Sequence, residues 1–169
     1  MHLAPERTFS IISLTKIVDP RFKIALLYTP PECYLKARSV IEFGAGEPSQ
    51  LFERLTIEWI KNGLLDSLSY KKRQVANRRQ QIVREILYGY DFVSQSSAFH
   101  IWLPLNAPNI DRIVTGIKND EVDILGSRDC QVSNVPGPGG LRIAFGNVRS
   151  DEELIRGLKI LVKHITYSQ

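Results

Sequence analysis

With 169 residues, 43% of them hydrophobic and 24% charged, the chain has ordinary globular composition, which excludes a disordered tail. A formal charge of +4 accommodates an anionic ligand without demanding a nucleic acid. Cys33 and Cys130 form no CxxC pair, so no disulfide framework and no metal site is expected; without a signal-like start or a membrane-length apolar run, the expected location is the cytoplasm, with no membrane partner.

Residues 9–14 and 22–28 are rich in Ile, Phe and Leu and read as two short buried strands, separated by the break at Asp19 and Pro20. Lys16 falls at their junction. Burial disfavours an ammonium, so a lysine ending a buried strand suggests that the amine has chemistry to do. Pro30 and Pro31 open a helix over about 32–43, ended by Gly44, Ala45 and Gly46. A second helix over about 49–62 carries Leu51, Phe52, Leu55 and Trp59 at helical spacing, and Gly63 stops it. A third runs over about 64–88 with Leu68, Val75, Ile82 and Ile86 on one stripe.

The second half changes character. Residues 91–94 and 98–103 form a candidate strand pair, 108–118 a short helix and 122–125 another strand. After the glycine- and proline-rich connection at 134–140 comes a strand with Leu141, Ile143 and Phe145 on one face and Arg142 and Ala144 on the other. The last helix has a capping box in Ser150 and Glu153 and an apolar stripe of Leu154, Leu158, Leu161 and Ile165. The whole reads as an α+β fold, a small sheet covered by helices.

Several tempting features have plainer readings. The basic cluster at 71–81 does not gather its charges on one exposed helical face as a DNA-reading helix should, and Arg79 falls inside the apolar stripe. A solvated or snorkelling role is expected for it. His100 reads as structural, Trp59 and Trp102 as core. No lysine and helix follow the segment at 136–140, so it is a mobile connection and not a phosphate loop.

The segment "SLTKIVDPRFKIALLYTPPE" resembles the lysine segment of the fold-type I pyridoxal-phosphate (PLP) enzymes, the class I/II aminotransferases. It is most similar to the aminotransferase-like half of the MocR subfamily of GntR-type transcriptional regulators. "FHIWLPL" is similar to that family's small-domain strand, and "GGLRIAFGNVRSDEELIRGLKIL" to its substrate-arginine strand and terminal helix. These three segments occur in the family's order.

The resemblance implies a fold, a cofactor and a site. Residues 1–88 would be the end of the large, lysine-bearing domain with connecting helices, and 89–169 the small C-terminal domain. Lys16 would be the catalytic residue, bonding to the aldehyde of PLP and moving the proton at a substrate's α-carbon. Ser13, Thr15 and Lys23 would join Lys16 in holding the cofactor, Lys23 standing where the family has an arginine and Arg21 where it has a glycine. Arg142 would bind the substrate carboxylate with its planar, always-charged fork. The implied function is amino-acid aldimine chemistry in the C-terminal portion of an aminotransferase-like protein. The alternative is a non-catalytic effector-sensing or dimerisation module of a MocR-type regulator, touching DNA only through an absent N-terminal module. Strands 9–14 and 22–28, apolar on both sides, would need cover from a homodimer partner or from a missing N-terminal portion.

Overall fold

The computed structural model describes residues 4–44, 49–105, 110–132 and 137–167. The expected helix stop at Ala45 and Gly46, the helix start at Pro108 and the connection at 134–136 lie outside them. The chain divides into two compact units, Met1–Lys72 and Arg73–Gln169.

In the first unit, β1 (Ser10–Ser13) pairs antiparallel with β2 (Ala25–Tyr28), from Ser10 opposite Tyr28 to Ser13 opposite Ala25. One turn of 3-10 helix at Pro31–Cys33 leads into α1 (Tyr34–Gly44), followed by α2 (Gln50–Lys61) and the start of α3 (Leu64–Ile86). Gly63, at φ +73°, ends α2 in the left-handed conformation that glycine adopts without penalty. The core of this unit is small. Leu14, Phe22 and Leu65 are buried, and the Phe22 ring lies 4.8 Å from Phe52 and 5.1 Å from Trp59, centroid to centroid.

The strands depart from expectation in length and in burial. They are four residues each, and their apolar side chains are uncovered: Ile11 is 71% exposed, and Ile12, Leu27 and Tyr28 are exposed as well. Helix α1 buries none of its residues, leaving Leu35, Val40 and Phe43 in the open. The cause is arithmetic. Among the described residues this ribbon has two strands and no third to pair with, and two-stranded ribbons are marginal alone.

The second unit is built around a three-stranded antiparallel sheet in the order β3 (His100–Pro104), β5 (Gly140–Ala144), β4 (Leu125–Gly126). The expected strand at 91–94 is a single bridge from Val93 to Trp102, and the expected strand at 122–125 shrinks to two residues. One face of the sheet packs into a core. Ile101, Leu103, Leu141 and Ile143 meet Ile110, Ile113 and Ile117 of α4 (Ile110–Asn119) and the stripe of Leu154, Leu158, Leu161 and Ile165 on α5 (Asp151–Thr166). That stripe and the alternation of β5 are as the sequence predicts. The Ser150 hydroxyl accepts from the Glu153 amide at 3.2 Å, whereas the Glu153 carboxylate accepts from the Arg149 amide at 2.7 Å, one residue before the expected partner.

Helix α3 corrects two expectations. Its buried positions are Leu65, Ala76, Arg79, Gln80 and Val83, so the buried face is centred one residue beyond the predicted stripe, whose members Leu68, Val75, Ile82 and Ile86 are half-buried flanks. Arg79 is neither solvated nor snorkelling; it is 6% exposed. Its guanidinium donates to the carbonyls of Phe145 at 2.7 Å and Val148 at 2.8 Å, and its Nε lies 3.4 Å from Asp151 Oδ1. Arg78 holds the other oxygen of Asp151 at 2.7 Å. A carboxylate in the first turn of α5 also meets the positive end of the helix dipole, so one acidic residue fixes both the helix start and the arginine. Gln80 donates to the Ser94 hydroxyl at 2.7 Å and the Ala98 carbonyl at 2.8 Å, tying α3 to the turn before β3.

Arg79→Met leaves a buried carbonyl and a part-buried one without their donor and removes a buried charge from its partner, so it should lower the unfolding free energy by about 3 kcal/mol. Arg78→Met, at an exposed pair, should cost less than about 1 kcal/mol. Urea unfolding followed by far-UV circular dichroism checks both; equal losses would remove the special role given to Arg79.

Candidate functional site

Two groups of side chains carry chemistry, one in each unit. The first is the turn after β1. Leu14 is its anchor: 1% exposed, it donates its amide to the Ile24 carbonyl at 2.9 Å, and its carbonyl accepts from Ile17 at 3.1 Å and Val18 at 2.8 Å. With Leu14 turned inward, the residues on either side of it turn out together. The Ser13 and Thr15 hydroxyls lie 2.7 Å apart, hydrogen-bonded to each other. Lys16 follows at the surface, exposed and with no side-chain partner among the described residues, while its carbonyl accepts from Lys72 Nζ at 3.0 Å. It therefore does not end a buried strand as expected, because the strand itself is uncovered.

The expected cations beyond the turn separate by role. Arg21 is committed locally: its Nε and backbone amide both donate to Asp19 Oδ1, at 2.9 and 2.8 Å, and its Nη2 reaches Oδ2 at 3.2 Å. This side-chain bond, reinforced by the backbone one, pulls the Asp19 carboxyl down to about 2. Lys23 remains exposed and unpaired among the described residues. The turn thus presents two hydroxyls side by side and two free ammonium groups, Lys16 and Lys23. A cavity of about 760 Å³ in the same unit, lined by Leu27, Tyr34, Arg38, Ile41 and Ile57 among others, includes none of these residues.

The second group lies on the face of the three-stranded sheet turned away from its core. Arg142 sits on the central strand, directly opposite Trp102 of β3 and directly opposite Leu125 of β4. Directly opposed residues share a face, so the Arg142 side chain leaves the strand with Trp102 on one side and Leu125 on the other. It is half-buried and has no hydrogen-bond or ion-pair partner among the described residues. Trp102 is consequently not a core residue as expected. Its indole lies against Gly140, where an added Cβ would come within 2.5 Å of the ring. His100, the first residue of β3, has an exposed side chain, and its carbonyl accepts from Ser94 at 3.0 Å. Sequence reasoning overlooked Trp102 and Leu125 as neighbours of Arg142. The signal for Trp102 was present: it alternates with Ile101 and Leu103 and must face away from them.

No family model matches the sequence, and no curated protein does. Solved structures match closely in fold. The kynurenine aminotransferase of Pyrococcus horikoshii, solved in complex with pyridoxamine phosphate (PMP), superposes with a TM-score of 0.80 at 16% identity over 96% of this chain and 41% of its own. The multiple-substrate aminotransferase of Thermococcus profundus gives 0.82 at 16% identity, over 96% and 41%. The α-aminoadipate aminotransferase LysN of Thermus thermophilus, complexed with a phosphopyridoxyl-leucine, gives 0.77 at 16%, over 94% and 42%. The chain spans about two fifths of the length of these enzymes. The likeness establishes the fold: this is a part of the aminotransferase architecture, as the sequence resemblance implied.

The donors of the lysine turn fit PLP in kind. Neighbouring hydroxyls and a free ammonium suit a phosphate, and an unpaired amine suits an aldehyde.

The clasp at Asp19 has a pH signature. A carboxyl whose pKa is depressed on folding adds stability above its unfolded pKa, and that contribution is lost as the pH falls through the folded value. The Asp19 carboxyl should therefore titrate near 2 in the folded chain, by carbon-13 NMR, and return toward 3.8 in Arg21→Ala. Titration near 3.8 in the unaltered chain would show that the clasp does not form.

Proposed function

We propose that this chain is the lysine-turn and arginine-strand portion of a PLP-dependent aminotransferase-like protein, acting on an amino acid. The observation that carries the proposal is the pair of apposed hydroxyls, Ser13 and Thr15, immediately before a free, exposed Lys16, in a chain whose fold is two fifths of an aminotransferase. The cofactor derivatives bound by the kynurenine and α-aminoadipate enzymes support PLP as the ligand.

Each residue has a definite task. Bound PLP supplies an aldehyde for an amine and an electron-poor ring that draws charge from the substrate's α-carbon. Ser13, Thr15 and Lys23 hold the phosphate by hydroxyl and charge-assisted bonds. Lys16 would hold the aldehyde end of the cofactor, and its amine would serve as the base for the proton at the substrate's α-carbon. Arg142 binds the substrate carboxylate through two parallel N–H donors. The uncovered apolar side chains of β1, β2 and α1 favour assembly with further protein surface, from another copy of the chain or from a longer polypeptide that contains it.

Incubating the chain with PLP, reducing with borohydride and mapping the product by mass spectrometry tests the assignment. A saturable label confined to Lys16, weakened when Ser13 and Thr15 are both changed to Ala, is the expected result. Label scattered over many lysines in proportion to exposure would defeat it and favour ligand sensing without turnover.

A further inference from the structure

From the surroundings of Arg142 we infer that Trp102 and Leu125 are specificity-determining residues, which restrict the arginine's carboxylate partner to molecules with an apolar group next to the carboxylate. In substrate terms these are amino acids or oxo acids with aromatic or aliphatic side chains. Arg142's role as a carboxylate anchor, on which this inference rests, leaves the nature of the attached group open. The sheet register narrows it.

On the open face of the sheet, Arg142 has one cross-strand neighbour on each side, and both are apolar. Directly opposed side chains have Cβ atoms about 5 Å apart, so Trp102 and Leu125 flank the Arg142 side chain where it leaves the strand. The indole of Trp102 is laid over Gly140, the residue two before Arg142 on the same strand and face. Its ring therefore forms a wall along the strand beside the arginine. One row further along, His100 is paired with Ala144, and the alternation of exposed Asp123, buried Ile124 and exposed Leu125 puts a carboxylate two residues from Leu125, which repels a second anion at the site. A carboxylate bound here meets two N–H donors at one end and apolar walls on both flanks. Those walls exclude water, which strengthens the charge-assisted bonds, and they reward an apolar substituent with buried area. A second charged or strongly hydrated group at the same distance would lose water without gaining a partner.

Emission from Trp102 reports binding directly. Trp59 is the chain's other tryptophan, and Trp59→Phe keeps a ring against Phe22. In that background, 3-phenylpropionate should perturb Trp102 emission saturably and bind at least about tenfold tighter than acetate, a factor that burying two or three CH2 equivalents supplies. Succinate, with a second carboxylate in place of the ring, should bind more weakly than 3-phenylpropionate. Arg142→Gln should abolish the response, and Leu125→Ser should reduce the preference for 3-phenylpropionate over acetate. Both substitutions lie on the open face, and circular dichroism verifies that the unit stays folded. Acetate and 3-phenylpropionate binding equally, with both lost in Arg142→Gln, would leave Arg142 as the anchor and overturn the role of its walls. Undiminished binding of 3-phenylpropionate to Arg142→Gln would overturn both. None of these readouts depends on PLP or Lys16, so failure of lysine labelling is a separate result.

Discussion

Burial of apolar surface is the constraint from which the rest of this structure follows, and the two units satisfy it unequally. In the second, α4 and α5 cover one face of the β3–β5–β4 sheet, and the aliphatic side chains of all three elements close over each other. Arg79 completes that closure by polar means. Its fork meets carbonyls that β5 and the loop after it would otherwise leave unpaired, and Asp151 neutralises it at the start of α5. The strand that carries Arg142 is thereby held at its end as well as from below. In the first unit, the buried cluster among the described residues consists of Leu14, Phe22 and Leu65, and α1 buries none of its residues.

This inequality shapes the chemistry. A sheet with one covered face turns its other side chains away from that core, and Arg142 stands on the central strand of that second face with Trp102 and Leu125 in register beside it. The lysine turn works on a different principle. There a single buried side chain, Leu14, sets the direction of the two hydroxyls beside it, and backbone bonds to Ile24, Ile17 and Val18 hold the turn. Local hydrogen bonds are enough to shape such a turn, but they do not bury the ribbon on which it sits. The Asp19–Arg21 clasp belongs to the same local order, and it engages Arg21 with a carboxylate while Lys16 and Lys23 stay unpaired among the described residues.

Local signals were the ones legible in the sequence. The last helix could be read from Ser150, Glu153 and four apolar residues at helical spacing, because cap and stripe lie within 16 residues of each other. The alternation of Leu141, Arg142 and Ile143 likewise assigned faces correctly. The structure brings the Ser13 and Thr15 hydroxyls of one contiguous segment together. What could not be read depends on distant partners. Arg79 looks like a solvated cation until the carbonyls of Phe145 and Val148, 66 and 69 residues further on, are known to face it. Leu125 joins Arg142 only through a two-residue strand, too short to leave a periodic signature. Ile11 and Leu27 have the composition of covered strands and lie exposed in this chain, since composition states what a strand needs and not what it obtains.

The claim at the centre of this account is that the arginine-bearing sheet supports itself while the lysine-bearing ribbon does not. Hydrogen–deuterium exchange of the whole chain, resolved by peptide, measures this directly, since protection follows burial and cooperative packing. Amides of β5 and α5 should exchange slowly, near the limit set by unfolding of their unit, while those of β1, β2 and α1 should exchange many-fold faster. Equal, slow exchange in both sets would contradict the account, because it would mean that the apolar faces of the ribbon are already covered.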